Sequence, residues 1–367
     1  MSEATIKVGV ITDQTGPLSF MGVANANIAR LVIDDINATG GLLGQRVELH
    51  VEDSETSDSA AKAAAIRLVK QDVDVVLGGI YSSARQAIKG PVVDQAKKLY
   101  IYPEQYEGQE SDPLIFCTGP VPAQQVEPLM PWLMRKTGAK KVYLPSADYI
   151  WPHVLNAKVR DVVTANGGTI VGEEYHSLDH TDYRETVARI KSSGADIVFN
   201  TIVPPGLTPF VEQLYNSGFT KRGGQLVCTY FDENFFNLVS AEHVEGLYSC
   251  LDWYQNVDDA FSKELLKRYN ERFPGSAQFT AGSACSGMYR GLKLWEHAVN
   301  EAGSLNQDAV VKALNHATIA NGPGGPAEMV PGQHHLRLHM YIAQAHNATF
   351  DVVKSLGVIE PKERVFA

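Results

Sequence analysis

The sequence predicts an α/β protein with two parallel sheets, each flanked by helices. Three observations carry this. Short β-rich runs alternate with amphipathic helical stretches from residue 7 onward, the pattern of serial βα units. The alternation restarts near residue 114, so two sets of similar rhythm lie in series, without a residue-level repeat. The chain of 367 residues is long enough for two domains with a sizeable core.

Residues 7–11 (Lys-Val-Gly-Val-Ile) read as the first buried strand, followed by a turn through Gly16-Pro17. A helix follows, with Ile28, Val32 and Ile36 recurring on one face, and Gly40-Gly41 end it. Residues 47–51 and 73–77 read as strands around an alanine-rich helix over 58–70; Gly78-Gly79 close the third strand. A helix is expected over 83–98, with Ser82 as N-cap and a bend at Pro91. The fourth strand, 99–102, stops at Pro103, which cannot donate to a sheet ladder.

The second set begins with a strand over 114–118 and a break at Gly119-Pro120. Helices are expected over 123–137, after Pro152, and over 186–193 and 208–217. Strands are expected over 141–144, 169–173, 196–201, 225–229 and 245–250. Beyond Leu251 the pattern turns helical over 260–273, 281–302 and 306–317. A Gly-Pro run over 321–326 interrupts it, and 336–344 with 350–353 read as a terminal hairpin.

Composition excludes several functions. The net charge of −10 disfavours nucleic acid and anionic membrane surfaces as partners. No apolar run approaches the ~20 residues of a membrane span, so no membrane insertion is expected. Met1-Ser2-Glu3-Ala4-Thr5 has neither the basic nor the apolar region of a secretory leader. The four cysteines, Cys117, Cys228, Cys250 and Cys285, form no metal-type pair and fit buried small residues or bridges equally. No phosphate-binding or dinucleotide glycine motif and no nucleophile elbow occurs, so neither a cofactor nor an enzymatic reaction is expected. His176 and His180 flank a loop-like segment. His335 and His339 would share a strand face, but no carboxylate or cysteine adjoins them, and no metal site is expected.

The positive signals are four loops at the carboxyl ends of strands, where open α/β sheets bind ligands. They are Tyr81-Ser82, Tyr102 to Gly108 with Glu104, Asp148-Tyr149-Ile150-Trp151, and Thr229-Tyr230-Phe231-Asp232-Glu233. Ser82 alone fits a plain N-cap as well as a ligand contact. Together the loops predict one cleft lined by Tyr81, Ser82, Tyr102, Glu104, Tyr149, Trp151, Tyr230 and Asp232. Glu104 in a closing cleft needs an offset to its charge: a cation such as Arg85, or a ligand that is a cation or carries N–H groups. The aromatic residues suit a cation or a planar group.

Tyr102-Pro103-x-x-Tyr106-Glu107-Gly108, Asp148-Tyr149-Ile150-x-Pro152, Gly167-Gly168-Thr169 and His334-His335-Leu336 make the chain resemble type I solute-binding proteins of the branched-chain amino acid and amide class. Nearly the whole chain takes part, and the amide and urea receptor branch is the most similar. The resemblance implies two Rossmann-like lobes, three hinge crossings and a small ligand closed between the lobes. Lobe 1 is then expected over residues 1–119 and 253–326, lobe 2 over 120–252 and 327–367. Ser82, Tyr102, Tyr149 and the segment 229–232 match pocket positions. The sequence departs from the branch at Glu104, Trp151, Tyr230 and Phe231, and it lacks the small residue and threonine that amino acid receptors carry after the fourth strand. The implied function is capture of a small polar organic ligand (amide, urea, amino acid or amine-like) for an ABC transporter permease. A periplasmic location with the leader absent from this sequence follows; a cytoplasmic ligand-sensing regulator of an amidase-type operon is the alternative.

Overall fold

The computed structural model describes residues 5–275 and 279–365; Met1–Ala4, where a leader was sought, lies outside them. The first sheet holds β1 (Ile6–Thr12), β2 (Val47–Asp53), β3 (Val75–Gly78), β4 (Tyr100–Tyr102) and β5 (Ile115–Cys117), all parallel in the order β2-β1-β3-β4-β5. Alternation along β1 sends Val8 and Val10 to one face, where they join Ile28, Val32 and Ile36 of α1 (Ser19–Ala38). Ile11 joins the other face with Ala61, Ala64 and Leu68 of α2 (Asp58–Lys70). Small residues let α2 approach closely: a Cβ on Gly9 would lie 2.7 Å from Leu68.

The larger sheet contains the parallel strands β6 (Lys141–Ala147), β7 (Thr169–His176), β8 (Ile197–Phe199), β9 (Gln225–Val227) and β10 (Tyr248–Leu251). It is extended by β11 (Thr318–Ile319), β12 (Ala327–Met329), β13 (Leu336–His346) and β14 (Thr349–Ile359), which run antiparallel. Helix α4 (Pro122–Thr137) leads from β5 of the first sheet into β6, and α5 (Ile150–Ala165), α6 (Arg184–Ser193) and α7 (Leu207–Asn216) connect β6, β7, β8 and β9 in turn. The chain then returns toward the first sheet as α8 (Ala260–Arg272), α9 (Ser283–Ala302) and α10 (Gln307–Leu314). Helix α9 packs along α1 and over β3 and β4. The contact is tight at two glycines: a Cβ on Gly287 would lie 1.8 Å from the Pro103 carbonyl, and one on Gly291 would lie 2.9 Å from Ile101.

The chain therefore passes between the sheets three times: after β5, after β10 and before β11. The third passage precedes Thr318. The Gly-Pro run is a turn between the paired strands β11 and β12, so the expected lobe edge at 326 falls inside a paired segment. Two- and three-residue strands carry no readable period, which is why sequence reading placed the edge at the glycines. The terminal hairpin forms with longer strands than expected, and β13 sits inside the sheet between β12 and β10. The helix expected over 83–98 divides into α3 (Ser82–Lys89) and a wider turn over Gly90–Gln95, because Pro91 has no N–H for the ladder.

Candidate functional site

The carboxyl ends of the two sheets face one another across a cavity of about 50 Å³. Gly78 and Gly79, at φ +127° and +81°, turn the chain sharply out of β3 and deliver Tyr81 and Ser82 to its wall. The loop after β4 delivers Glu104 and Gln105, α1 and the loop before it contribute Met21 and Leu18, and the first turn of α9 contributes Ser283 and Ala284. The opposite wall comes from Tyr149, Trp151, Val203, Pro204, Tyr230, Phe235 and Leu251.

An aromatic belt runs through the cavity. Ring centroids are 5.5 Å apart for Tyr81–Tyr149, 6.2 Å for Tyr149–Trp151 and 5.7 Å for Trp151–Tyr230. The Tyr81 hydroxyl donates to the Pro204 carbonyl at 2.9 Å, a direct tie between the two walls. Tyr230 donates to the Ile202 carbonyl and accepts from the Asn200 amide at 3.1 Å, so its hydroxyl is committed to its own wall. The buried Trp151 indole N–H and the buried Gln105 Oε1 have no hydrogen-bond partner among the described residues.

Glu104 is buried, and its Oε1 accepts from the Asn25 amide at 2.8 Å. Arg85, one of the two candidates to offset it, is committed elsewhere: it pairs with Glu107 at 2.8 Å and Glu110 at 3.4 Å between the rings of Tyr102 and Tyr106. Among the described residues no cation pairs with Glu104. Burial pushes its carboxyl well above the usual range; the Asn25 bond opposes this, and the nearby carboxyls of Asp232, Asp13 and Asp252 reinforce it.

Of the eight residues proposed from sequence, Tyr81, Ser82, Glu104, Tyr149, Trp151 and Tyr230 line the cavity. Tyr102 and Asp232 do not. Strand parity turns Tyr102 into the core between the first sheet and α3, where its hydroxyl donates to the Ile80 carbonyl at 2.7 Å. Asp232 is buried one layer back: its Oδ2 accepts the Ala284 N–H at 2.8 Å and its Oδ1 the Asn234 N–H at 3.0 Å. Burial raises its pKa to about 6, and these backbone bonds limit the rise. Ser82 is the first residue of α3 and not its N-cap; its hydroxyl donates to Glu107.

Sequence reading missed Asn25, Ser283 and Ala284. Asn25 had a legible signal, since it is a polar residue on the helix face shared with Met21 and Ile28. The first turn of α9 had none; only the fold brings it to the loops.

His334 and His335 are packed in the core. His334 stacks on Phe116 at 3.9 Å, and His335 bonds the Tyr106 hydroxyl. His335 precedes β13, so the strand face expected for His335 and His339 does not form. Burial holds both His334 and His335 down at about 4. Among the described residues no three His, Cys, Asp or Glu side chains are placed to hold a metal, the four cysteines are free and buried, and no helix is long and apolar enough to cross a membrane.

Known proteins place this architecture. A Leu/Ile/Val-binding protein homolog of Brucella abortus is 22% identical over 341 residues, covering 87% of this chain and 82% of its own length. A solute-binding protein of an ABC transporter from R. palustris, solved with 4-hydroxybenzoate, is 22% identical, covers 98% of this chain and 99% of its own, and superposes with a TM-score of 0.87. A branched-chain amino acid transporter substrate-binding protein from Streptococcus pneumoniae, solved with isoleucine, is 20% identical, with coverage of 96% and 100% and a TM-score of 0.84. The last two share the fold: paired α/β units around a central cleft. The family model described as periplasmic binding protein matches residues 5–349, and this chain belongs to that family.

Proposed function

We propose that this chain is the substrate-binding protein of an ABC importer. It holds a small polar organic ligand between two lobes, one built on the first sheet and one on the larger sheet, with the third crossing before Thr318 and not at 326, and hands it to the permease unchanged. A periplasmic place of work follows from this reading.

The observation that carries the ligand assignment is Glu104, a buried cavity carboxyl with one amide bond and, among the described residues, no paired cation. A ligand with N–H donors offsets that carboxyl, and a carboxylate ligand aggravates it. The orphaned Trp151 N–H supplies a donor for a carbonyl oxygen on the same ligand.

Native mass spectrometry of the purified protein, followed by calorimetry with acetamide, urea, isoleucine and 4-hydroxybenzoate, tests the reading. Preference for the two N–H donors without a carboxylate is the expected result. Tightest binding of 4-hydroxybenzoate would overturn the ligand class while leaving the transport role standing.

A further inference from the structure

Among the described residues, five hydroxyls line the cavity: those of Tyr81, Ser82, Tyr149, Tyr230 and Ser283. A hydroxyl has one proton to donate and two lone pairs to accept with. Four of these five protons are already committed to the protein. Tyr81 and Tyr230 donate to the Pro204 and Ile202 carbonyls. Ser82 donates to Glu107 Oε2, and Ser283 donates to Asp252 Oδ1 at 2.6 Å. Tyr149 carries the fifth, with no such bond among the described residues.

The two serines share one arrangement. Ser82 opens α3 and Ser283 opens α9, the helix packed on the first sheet. Behind each serine lies a buried carboxylate whose other oxygen is held by a buried arginine: Glu107 Oε1 by Arg85 at 2.8 Å, and Asp252 Oδ2 by Arg290. A carboxylate paired with a guanidinium accepts hydrogen bonds and has no proton to return. Turning either serine proton into the cavity would take that bond away from Glu107 Oε2 or Asp252 Oδ1 and leave a buried charged oxygen short of a donor.

We propose that the Arg85–Glu107 and Arg290–Asp252 pairs set the polarity of the cavity: they make Ser82 and Ser283 acceptors only, so the first-sheet wall selects the N–H side of a ligand. The ligand class rests on the reading given under Proposed function; the placement of the two protons does not. Glu107 and Asp252 are then positioning residues, one layer behind the cavity. On the opposite wall the Trp151 N–H has no partner among the described residues. A bound amide therefore lies with its nitrogen toward Ser82 and Ser283 and its carbonyl oxygen toward Trp151. A carboxylate of the same shape sets lone pairs against lone pairs at both serines.

Neutron diffraction from a deuterium-exchanged, ligand-free crystal reads the protons without any ligand. The deuterons of Ser82 and Ser283 are expected on the lines to Glu107 Oε2 and Asp252 Oδ1. Either one directed into the cavity overturns the proposal, whatever ligand the protein binds. Calorimetry with acetamide and acetate, which differ by an NH2 group against an oxygen, tests the consequence. Ser82→Ala and Ser283→Ala should each weaken acetamide about two- to tenfold and leave acetate no weaker. A serine that donates to ligands would lose acetate affinity on truncation, and that result also overturns the proposal. Ser283→Ala carries this arm if Ser82→Ala fails to fold. In Glu107→Gln the new amide donates to Ser82 Oγ and frees the serine proton for the cavity, so acetate should gain over acetamide. The gain should shrink in the Ser82→Ala background, where only the change of charge remains; an equal gain in both backgrounds refutes the positioning role of Glu107. Failure of acetamide to bind the wild type refutes the ligand class, and the neutron map still decides the polarity.

Discussion

Replacing Glu104 by Gln isolates the charge that the ligand assignment depends on. Gln keeps the length of the side chain and an oxygen to accept the Asn25 amide at the same place. The change therefore removes the group's capacity to carry a charge, with little change in shape. A hydrogen bond to a charged group contributes about 1.5–3 kcal/mol, against roughly half that for a neutral one. At 1.4 kcal/mol per tenfold, loss of the charge-assisted bond corresponds to a roughly ten- to hundredfold weaker affinity for an N–H donor such as acetamide. The fold is not expected to suffer. Burial disfavours the Glu104 carboxylate and among the described residues no cation compensates it, so at pH 8 the variant should melt no lower than the wild type. Calorimetry with acetamide, urea and 4-hydroxybenzoate, with a thermal melt as control, measures both effects. Unchanged affinity for the N–H donors would refute the reasoning, as would a gain in their affinity.

Three further outcomes are expected. Tyr81→Phe removes the 2.9 Å bond to the Pro204 carbonyl across the cleft; a neutral hydrogen bond of about 0.5–1.5 kcal/mol predicts a two- to tenfold faster ligand release, visible in stopped-flow dissociation. Gly287→Ala places a Cβ 1.8 Å from the Pro103 carbonyl; it should cost about 1–3 kcal/mol in denaturant unfolding and weaken binding, because the displaced loop carries Glu104. Stability should fall between about pH 6.5 and about pH 8. Glu233 keeps its proton in the folded state up to about 8, whereas the unfolded chain releases its own near pH 4, so stability falls as pH rises toward the folded value. Below about 6.5 the histidines His334 and His335, neutral down to about 4 when folded, and the acids Asp232 and Glu233 pull in opposite directions and nearly cancel. A melting temperature that climbs steadily from pH 6 to pH 9 contradicts this account.

The amino-acid sequence by itself determined the βα rhythm, because strand and helix periods are local properties of successive side chains. Val8, Val10 and Ile11 announce a two-faced strand, and Ile28, Val32 and Ile36 a helix stripe, before any partner is known. The loops carrying Tyr81, Glu104, Tyr149, Trp151 and Tyr230 were legible for the same reason, since a strand end and a tyrosine can both be read in place. Tyr102 and Asp232 show where that reasoning stops: each sits in the right loop, yet strand parity buries the first and a backbone N–H of α9 captures the second. The partner of Arg85 was equally out of reach, because the choice among Glu104, Glu107 and Glu110 depends on how the loop folds over α3. Only the tertiary structure brings Asn25, Ala284 and Asp232 together. They lie 259 residues apart at one link and 52 at the next, and contacts so distant in sequence leave no periodic trace along the chain.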